Sequence, residues 1–336
     1  MNYHPSFWPL YKRRLLHSSR PILVGPFVGE VGLECLYWLS FLEVLKDAGV
    51  KAERMIPIGR GGSAIWYGCP TGIELYAMRS LQDVRVENMI RAKKTGMIKQ
   101  MDWTHFDRSV VADVAKTLNL KKYWALHPSW MYRTLAPYWG GQRGIDWLMA
   151  RAKYDLMKAP PLPDGLTLPE MFVAVKFYFR GTFPHTQPCL DLARHTVNRL
   201  LKEGPVVLLN TGLHADEHVD LTFKPQANLF QLRDLTTVTA ENSLLLQSGV
   251  IARAQGFVGT YGGLAQLAQK FARPCITFYA EWGGTMMAHK HLSDAISLRT
   301  GIPFIVHALK EIPLVKTVLP DFIIGQPLTL AKSVAH

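Results

Sequence analysis

The chain has 336 residues, 48% of them hydrophobic and 19% charged, enough apolar material for two domains or one large one. No stretch of 18 apolar residues occurs, and the first twenty residues carry neither an apolar h-region nor a small-residue cleavage site, so a spanning helix and a secretory signal are not expected. Cys35, Cys69, Cys189 and Cys275 are scattered without a CxxC pair, the pattern of reduced cysteines in a cytoplasmic protein. The net charge of +12 is uneven. Residues 1–155 hold 22 Lys/Arg against 13 Asp/Glu, whereas residues 156–336 hold 16 against 13. The first half therefore suits an anionic partner, such as a membrane surface, a glycolipid, a phosphorylated glycan or nucleic acid, with a merely basic soluble surface as the plain alternative.

In chain order, residues 1–20 combine Tyr3, Phe7, Trp8 and Tyr11 with Lys12, Arg13 and Arg14. They read as an N-terminal arm with peripheral membrane contact left open. PILVG (21–25) predicts a buried strand, PFVGEVG a loop, and LECLYWLSFLEVLKDAG a helix stopped at Gly49. AERMIPIG (52–59) predicts the next strand, so the opening unit is β-loop-α-β with parallel strands. Residues 70–100 read as helical and basic, and 103–155 as mainly helical and rich in Trp and Tyr. Four prolines between 158 and 170 mark a linker, dividing the chain into 1–157 and 158–336.

Beyond the linker the alternation restarts. FVAVKFYF (172–179) predicts a strand, LDLARHTVNRLLKEG a helix ending at Gly204, PVVLLNTG (205–212) a strand, and NLFQLRDL (228–235) a short strand and turn. The most informative run is Ser243–Glu281. It reads as a helix, a strand GFVG, a turn Thr260-Tyr261-Gly262-Gly263, a second helix LAQLAQKFA, and a strand CITFYA entered through Pro274. A strand–glycine turn–helix aims backbone N–H groups and a positive helix end at one place, where a phosphate can sit. Glycine there allows close backbone approach, and Thr260 offers a hydroxyl. The turn lacks the GxxxxGK[ST] spacing and comes too late in its unit for a dinucleotide fingerprint.

Several residues fall where open α/β sheets bind ligands, at the strands' C-terminal ends. Arg180 closes FVAVKFYFR, with Lys176 four residues upstream and His185 in the following loop. A cation at that end would neutralise a leaving diphosphate; a structural ion pair is the competing role. Asn210, Thr211 and Gly212 end the next strand and should line a nucleotide pocket. Glu241 either accepts ribose hydroxyls or simply occupies a helix's first turn. His214-x3-His218 with Asp216 and Glu217 has ligand spacing but no third partner, so a solvated loop is expected and no metal; His289 and His291 are read likewise. The aromatic stretch from Trp124 to Trp147 reads mainly as core, with His127 and Trp130 as the candidates for contacting an acceptor.

The run GVIARAQGFVGTYGGLAQLAQKFARPCITFYAE resembles the C-terminal donor segment of GT-B glycosyltransferases, closest to the heptosyltransferase-like and O-fucosyltransferase-like types. The likeness is detailed over about 40 residues, and the two-halves organisation extends it to the architecture. It implies an α/β fold of two Rossmann-like domains facing a cleft, with an acceptor half and a nucleotide-sugar half. Gly259, Thr260, Tyr261, Gly262 and Gly263 would hold the donor diphosphate, and Leu232 and Asp234 would lie where the base is read. Arg180 matches the family's donor-phosphate cation. The loop Gly25–Gly32 would face the cleft, with Gly29 giving room to the acceptor and Glu30 as general base, Glu34 being the alternative or its partner. A helix-start carboxylate is the competing role for Glu30. No cofactor beyond the nucleotide-sugar and no catalytic metal is implied. Where the family carries acidic and Ser residues in the turn, this chain has Thr260, Tyr261 and Gly262, which leaves the donor open. Other transfer chemistry on the same fold (pyruvyl transfer, epimerisation) and a non-catalytic nucleic-acid or glycan binder remain the alternatives.

Overall fold

The computed structural model describes residues 7–96, 100–214, 218–281 and 286–309. Its N-terminal half begins with helix α1 (Trp8–Leu16) and strand β1 (Ile22–Val24). A continuous helical run follows in three pieces: α2 (Val31–Leu33), a π-helical turn (Glu34–Trp38) and α3 (Leu39–Asp47). Then come β2 (Met55–Gly59), β3 (Ile73–Glu74), α4 (Leu81–Thr95), α5 (His105–Thr117), β4 (Trp124–Leu126), α6 (Ser129–Trp139) and α7 (Ile145–Met149). The C-terminal half comprises β5 (Val173–Lys176), β6 (Tyr178–Phe179), α8 (Gln187–Glu203), β7 (Val206–Leu208), β8 (Val219–Asp220), β9 (Leu229–Gln231), α9 (Leu232–Leu235), α10 (Ser243–Ile251), β10 (Gly256–Thr260), α11 (Gly263–Lys270), β11 (Cys275–Tyr279), α12 (Met286–Thr300) and β12 (Phe304–Ala308).

Among the described residues, one sheet has the order β3-β2-β1-β4 and the other β12-β11-β10-β5-β7-β9; both are wholly parallel. Parallel strands joined through helices make each half a Rossmann-like α/β unit. Side-chain alternation sorts each strand between two layers. On β1, Ile22 and Val24 enter one core and Leu23 the other. On β5 and β10, Ala174 and Phe257 enter the first core, whereas Val173, Val175 and Val258 lie beneath α8. That first core is common to both halves. It runs without interruption from Leu15 and Trp38 through Leu246, Ala265 and Leu292. The two halves are therefore fused along an apolar interior rather than joined only by a strap.

Two expectations change. The stretch 70–100 is not all helical: β3 and a 3-10 turn precede α4, whose start is set by a Ser80/Asp83 capping box and whose end is set by Gly96 in the left-handed region (φ 70°). The segment 172–179 is not one strand. It leaves the large sheet after Lys176, and Tyr178–Phe179 pairs instead with β8, antiparallel. Residues 158–170 carry no helix or strand, yet they lie on the C-terminal half, with Arg253 donating to the Pro160 carbonyl and Leu162 against Gly249.

The halves meet most tightly where α2 and α11 begin. A Cβ on Gly263 would lie 2.9 Å from the backbone nitrogen of Gly32 and 2.9 Å from Val31 Cβ. A second contact seats α10 on the Gly61–Gly62 loop, where Leu245 N–H donates to the Gly61 carbonyl at 2.8 Å. Trp66 Nε1–H donates across to Ser248 Oγ (2.9 Å). Replacing Gly263 with Ala is expected to destabilise the protein by about 2 kcal/mol, because the obstruction is backbone and cannot rotate away. Gly181, with nothing within 4 Å of an added Cβ, is the matched control. Equal urea midpoints for Gly263→Ala and Gly181→Ala would show that the two helix starts are not in forced contact.

Candidate functional site

The C-terminal edge of the N-terminal sheet presents the Gly25–Glu30 loop after β1, Arg60–Gly62 after β2 and His127 after β4. The loop is braced from behind. Arg60, almost fully buried, donates Nη1 to the Phe27 carbonyl (2.8 Å) and Nη2 to the Gly29 carbonyl (2.6 Å). The same guanidinium pairs with Glu34 at 2.8 Å. Glu34 is sealed from solvent and also receives the Tyr67 hydroxyl at 2.7 Å. Burial drives its carboxyl upward from the usual range, while Arg60, Tyr67 and Ser63 pull it back. The π-helical turn places this carboxylate inside the protein, out of contact with solvent. Glu34 is therefore not positioned as an alternative base; it anchors Arg60, which holds the loop. Glu30 is different: it is exposed, it stands at the start of α2, and its side chain makes no capping hydrogen bond. Gly29 beside it is buried, with the hydroxyl of Tyr132 facing it.

His127 and Trp130 do not face a cleft. Trp130 lies in the shared core, stacked on Tyr11 at 4.9 Å between ring centres. His127 is wholly buried; its Nδ1 accepts the Ser129 N–H (3.1 Å), and its Nε2 faces Asp107 at 3.2 Å. Asp107 also pairs with Arg91 (2.8 Å) and caps α5 through Thr104. Burial opposes the charge on Asp107, but the interaction with His127, then Arg91 and the Thr104 N–H, overcome it and hold the carboxyl well below its usual range. Burial lowers His127. Gln100 completes the knot by bridging the Pro26 carbonyl and the Val28 N–H. This polar cluster thus also shapes the Gly25–Glu30 loop from the far side.

In the C-terminal half the glycine turn is built as expected from strand to helix, but its side chains are engaged internally. The Thr260 hydroxyl accepts the Tyr178 N–H (3.1 Å) and donates to the Tyr178 carbonyl (3.0 Å). It ties β10 to the chain where β5 breaks, so it is not a free donor for a phosphate. Tyr261 is buried, its ring edge against Phe304. Gly259 is glycine because a Cβ would collide with the Lys176 backbone, and Gly262 because a Cβ would collide with the Tyr178 hydroxyl. The start of α11 at Gly262–Gly263 has no side-chain cap.

Lys176 is buried and joined to Asp220 (2.6 Å) and Asn210 (3.2 Å); Asn210 in turn donates to the Leu221 carbonyl. These two hold the ends of β5 and β7 together. Arg180 does not end a strand of the large sheet. It is exposed after β6, beside His218 (3.5 Å), which stacks on Tyr178 at 4.3 Å. Because Tyr178 also abuts Gly262, Tyr178, His218 and Arg180 form one flank of the glycine turn. His185 is exposed and packs edge-on against Phe179. Thr211 is half-buried and Gly212 exposed with φ 74°, at the end of the β7 connection. Leu232 is in the core, and Asp234 is exposed and accepts from Gln231. Glu241 is exposed just before α10, near Glu74. Asp216 and Glu217 lie outside the described residues; His289 bonds the Tyr37 hydroxyl through Nδ1 at 2.7 Å. The residues missed by sequence reasoning are Arg60, Tyr67, Asp107, Tyr178 and Asp220. Two of them had a signal: Arg60 is a cation followed by two glycines at a strand end, and Asp107 closes a Thr-x-x-Asp capping box at the start of α5.

No family model matches the chain, and no curated protein matches it. Among solved structures, similarity was found to the glycosyltransferase SnogD from Streptomyces nogalater, at 11% identity over 91% of this chain and 92% of that one, with a TM-score of 0.42. It was also found to the UDP-GlcNAc 2-epimerase from Methanocaldococcus jannaschii, at 8% identity over 91% and 92%, with a TM-score of 0.37.

Replacing Asp107 with Asn takes one of two carboxylates from the buried Arg91, which keeps Glu87 at 2.8 Å, and is expected to cost about 2 kcal/mol of stability. The carboxyl is depressed in the folded state, so its stabilisation is present above the usual carboxylate range near 4 and is lost as pH falls below it. Urea unfolding from pH 7 down to acid should show a shallower acid limb for Asp107→Asn. An acid limb identical to that of the unsubstituted protein would sink this assignment.

Proposed function

We propose that the chain is a GT-B-type glycosyltransferase that moves a sugar from a nucleoside diphosphate donor to a hydroxyl acceptor. One observation carries the reading. Two helices, α2 and α11, begin uncapped at the C-terminal edges of two parallel sheets, and their first turns touch at Gly32 and Gly263. Two positive helix ends converging on one place favour a dianionic group there. Arg180, exposed beside the Tyr178 that abuts Gly262, is assigned to the donor, and Glu30, exposed at the start of α2, to the acceptor.

In this reading the N–H groups at Gly262 and Gly263, with Arg180, hold the diphosphate, and the β7 connection at Thr211–Gly212 lines the nucleoside. The Glu30 carboxylate takes the proton of the acceptor hydroxyl as its oxygen bonds to the sugar's anomeric carbon. The bond from that carbon to the diphosphate oxygen breaks, and the charge that develops on the leaving group is met by Arg180 and the α11 end. Arg60 and Glu34 hold the Phe27–Gly29 backbone so that Glu30 faces the sugar. No metal is invoked.

Calorimetric titration with nucleotide-sugars and nucleoside diphosphates, followed by a transfer assay, tests this. Glu30→Gln should lower kcat by about 10²–10⁴-fold with donor affinity nearly unchanged. Arg180→Ala should weaken diphosphate binding by about tenfold or more. If no nucleoside diphosphate binds, the reading fails. If donors bind but undergo isomerisation without transfer, epimerisation replaces it.

A further inference from the structure

The N-terminal half carries a second surface that sugar transfer does not use, on the edge opposite the Gly25–Glu30 loop. Helix α1 has two faces. Trp8, Tyr11 and Leu15 turn inward, with Trp8 and Tyr11 against Trp130 and Leu15 fully buried. Phe7, Leu10, Arg14 and His17, spaced as one helical stripe, turn outward. Phe7 is 56% and Leu10 49% exposed. Arg13 is exposed beside them.

The stripe continues into a cationic edge. Strands β1, β2 and β4 run parallel with Ile22 level with both Met55 and Trp124, so the segments that precede them share one side of the sheet. Those segments contribute the exposed Arg20, Lys51, Lys121 and Lys122, while Arg54 ties the edge together by donating to the Leu15 and Arg20 carbonyls. Glu53 is the only carboxylate within residues 8–21, 51–54 and 119–124, and nearby Asp47 is already paired with Lys153. At the centre lies a shallow depression of about 550 Å³ lined by Arg14, His17, Ser18, Ser19, Arg20 and Trp124. Its floor is ordered: the Trp124 indole N–H donates to Ser18 Oγ (2.9 Å), and Arg20 lies 6.0 Å from the centre of the Trp124 ring.

We propose that this edge docks the protein on an anionic lipid bilayer, with Arg14, Arg20 and the neighbouring lysines on headgroup phosphates and Phe7 and Leu10 at the acyl boundary. Cations beside a short exposed apolar pair are the chemistry of interfacial binding. Duplex nucleic acid would satisfy the cations but gain nothing from Phe7 and Leu10. Docked this way, the strands' opposite edge, with Gly29 and Glu30, faces away from the bilayer surface. The proposal is independent of the sugar-transfer reading.

Sedimentation of the full chain with phosphatidylcholine vesicles, with and without phosphatidylglycerol, tests it, with a duplex DNA gel-shift in parallel. Binding should require phosphatidylglycerol and weaken with salt. Arg14→Gln/Arg20→Gln should lower vesicle affinity roughly 25-fold, about fivefold per charge. Phe7→Ser/Leu10→Ser, with charge unchanged, should lower it about tenfold. The unfolding midpoints of both variants should match the unsubstituted protein, since all four side chains are exposed. Equal binding to neutral and anionic vesicles overturns the proposal, as does anionic binding that survives the arginine pair. DNA binding that depends on the arginines but not on Phe7 and Leu10, without vesicle binding, overturns it in favour of nucleic acid.

Discussion

The approach of Gly32 to Gly263 governs how the rest of this molecule is arranged. Two helices can bring their first turns into backbone contact only if neither position carries a side chain, and here an added Cβ on either meets the other half at once. That contact fixes the separation of the two sheets. It also explains why one apolar core extends from α1 to α12 rather than dividing at the linker. An enzyme cleft between two Rossmann-like units is usually pictured as an open gap. In this protein the junction between the two units is packed, with the two helix starts against each other.

Buried charge does the local shaping. Arg60 with Glu34 holds the Gly25–Glu30 loop from one side, and Asp107 with Arg91, His127 and Gln100 holds it from the other. Charges so enclosed contribute little net stability when paired but are costly when unpaired, so they act as specifiers of one loop conformation. The C-terminal half uses the same device at Lys176, Asn210 and Asp220, where the strand leaves the sheet. Glu30 and Arg180, by contrast, are exposed.

Much of this was legible in the chain itself. The strand GFVG, the glycine turn, the helix and the Pro-led strand CITFYA stand where their periodicity and punctuation put them, because each is decided by local apolar spacing and by glycine and proline. The same holds for β1, the helix ended at Gly49, and α8. The short strand β3 and the break after Lys176 were not legible. A two-residue strand has no period, and FVAVKFYF is a run of strand-forming residues, interrupted only by Lys176, whose departure from the sheet depends on pairing with Val219–Asp220, forty residues away.

The sequence by itself thus determined the α/β class, the two-unit organisation and the glycines of the turn, since these follow from local periodicity and backbone freedom. Only the tertiary structure decided what each polar residue does. Glu30 and Glu34 are one helical turn apart and chemically alike, yet one meets solvent and the other is locked to Arg60. Thr260 looks like a phosphate donor in sequence and is a clasp on Tyr178 in space. His127 and Trp130 look available and are core. The reason is the same in each case: a polar group's role is set by which long-range partner reaches it first, and the order of residues does not record that partner.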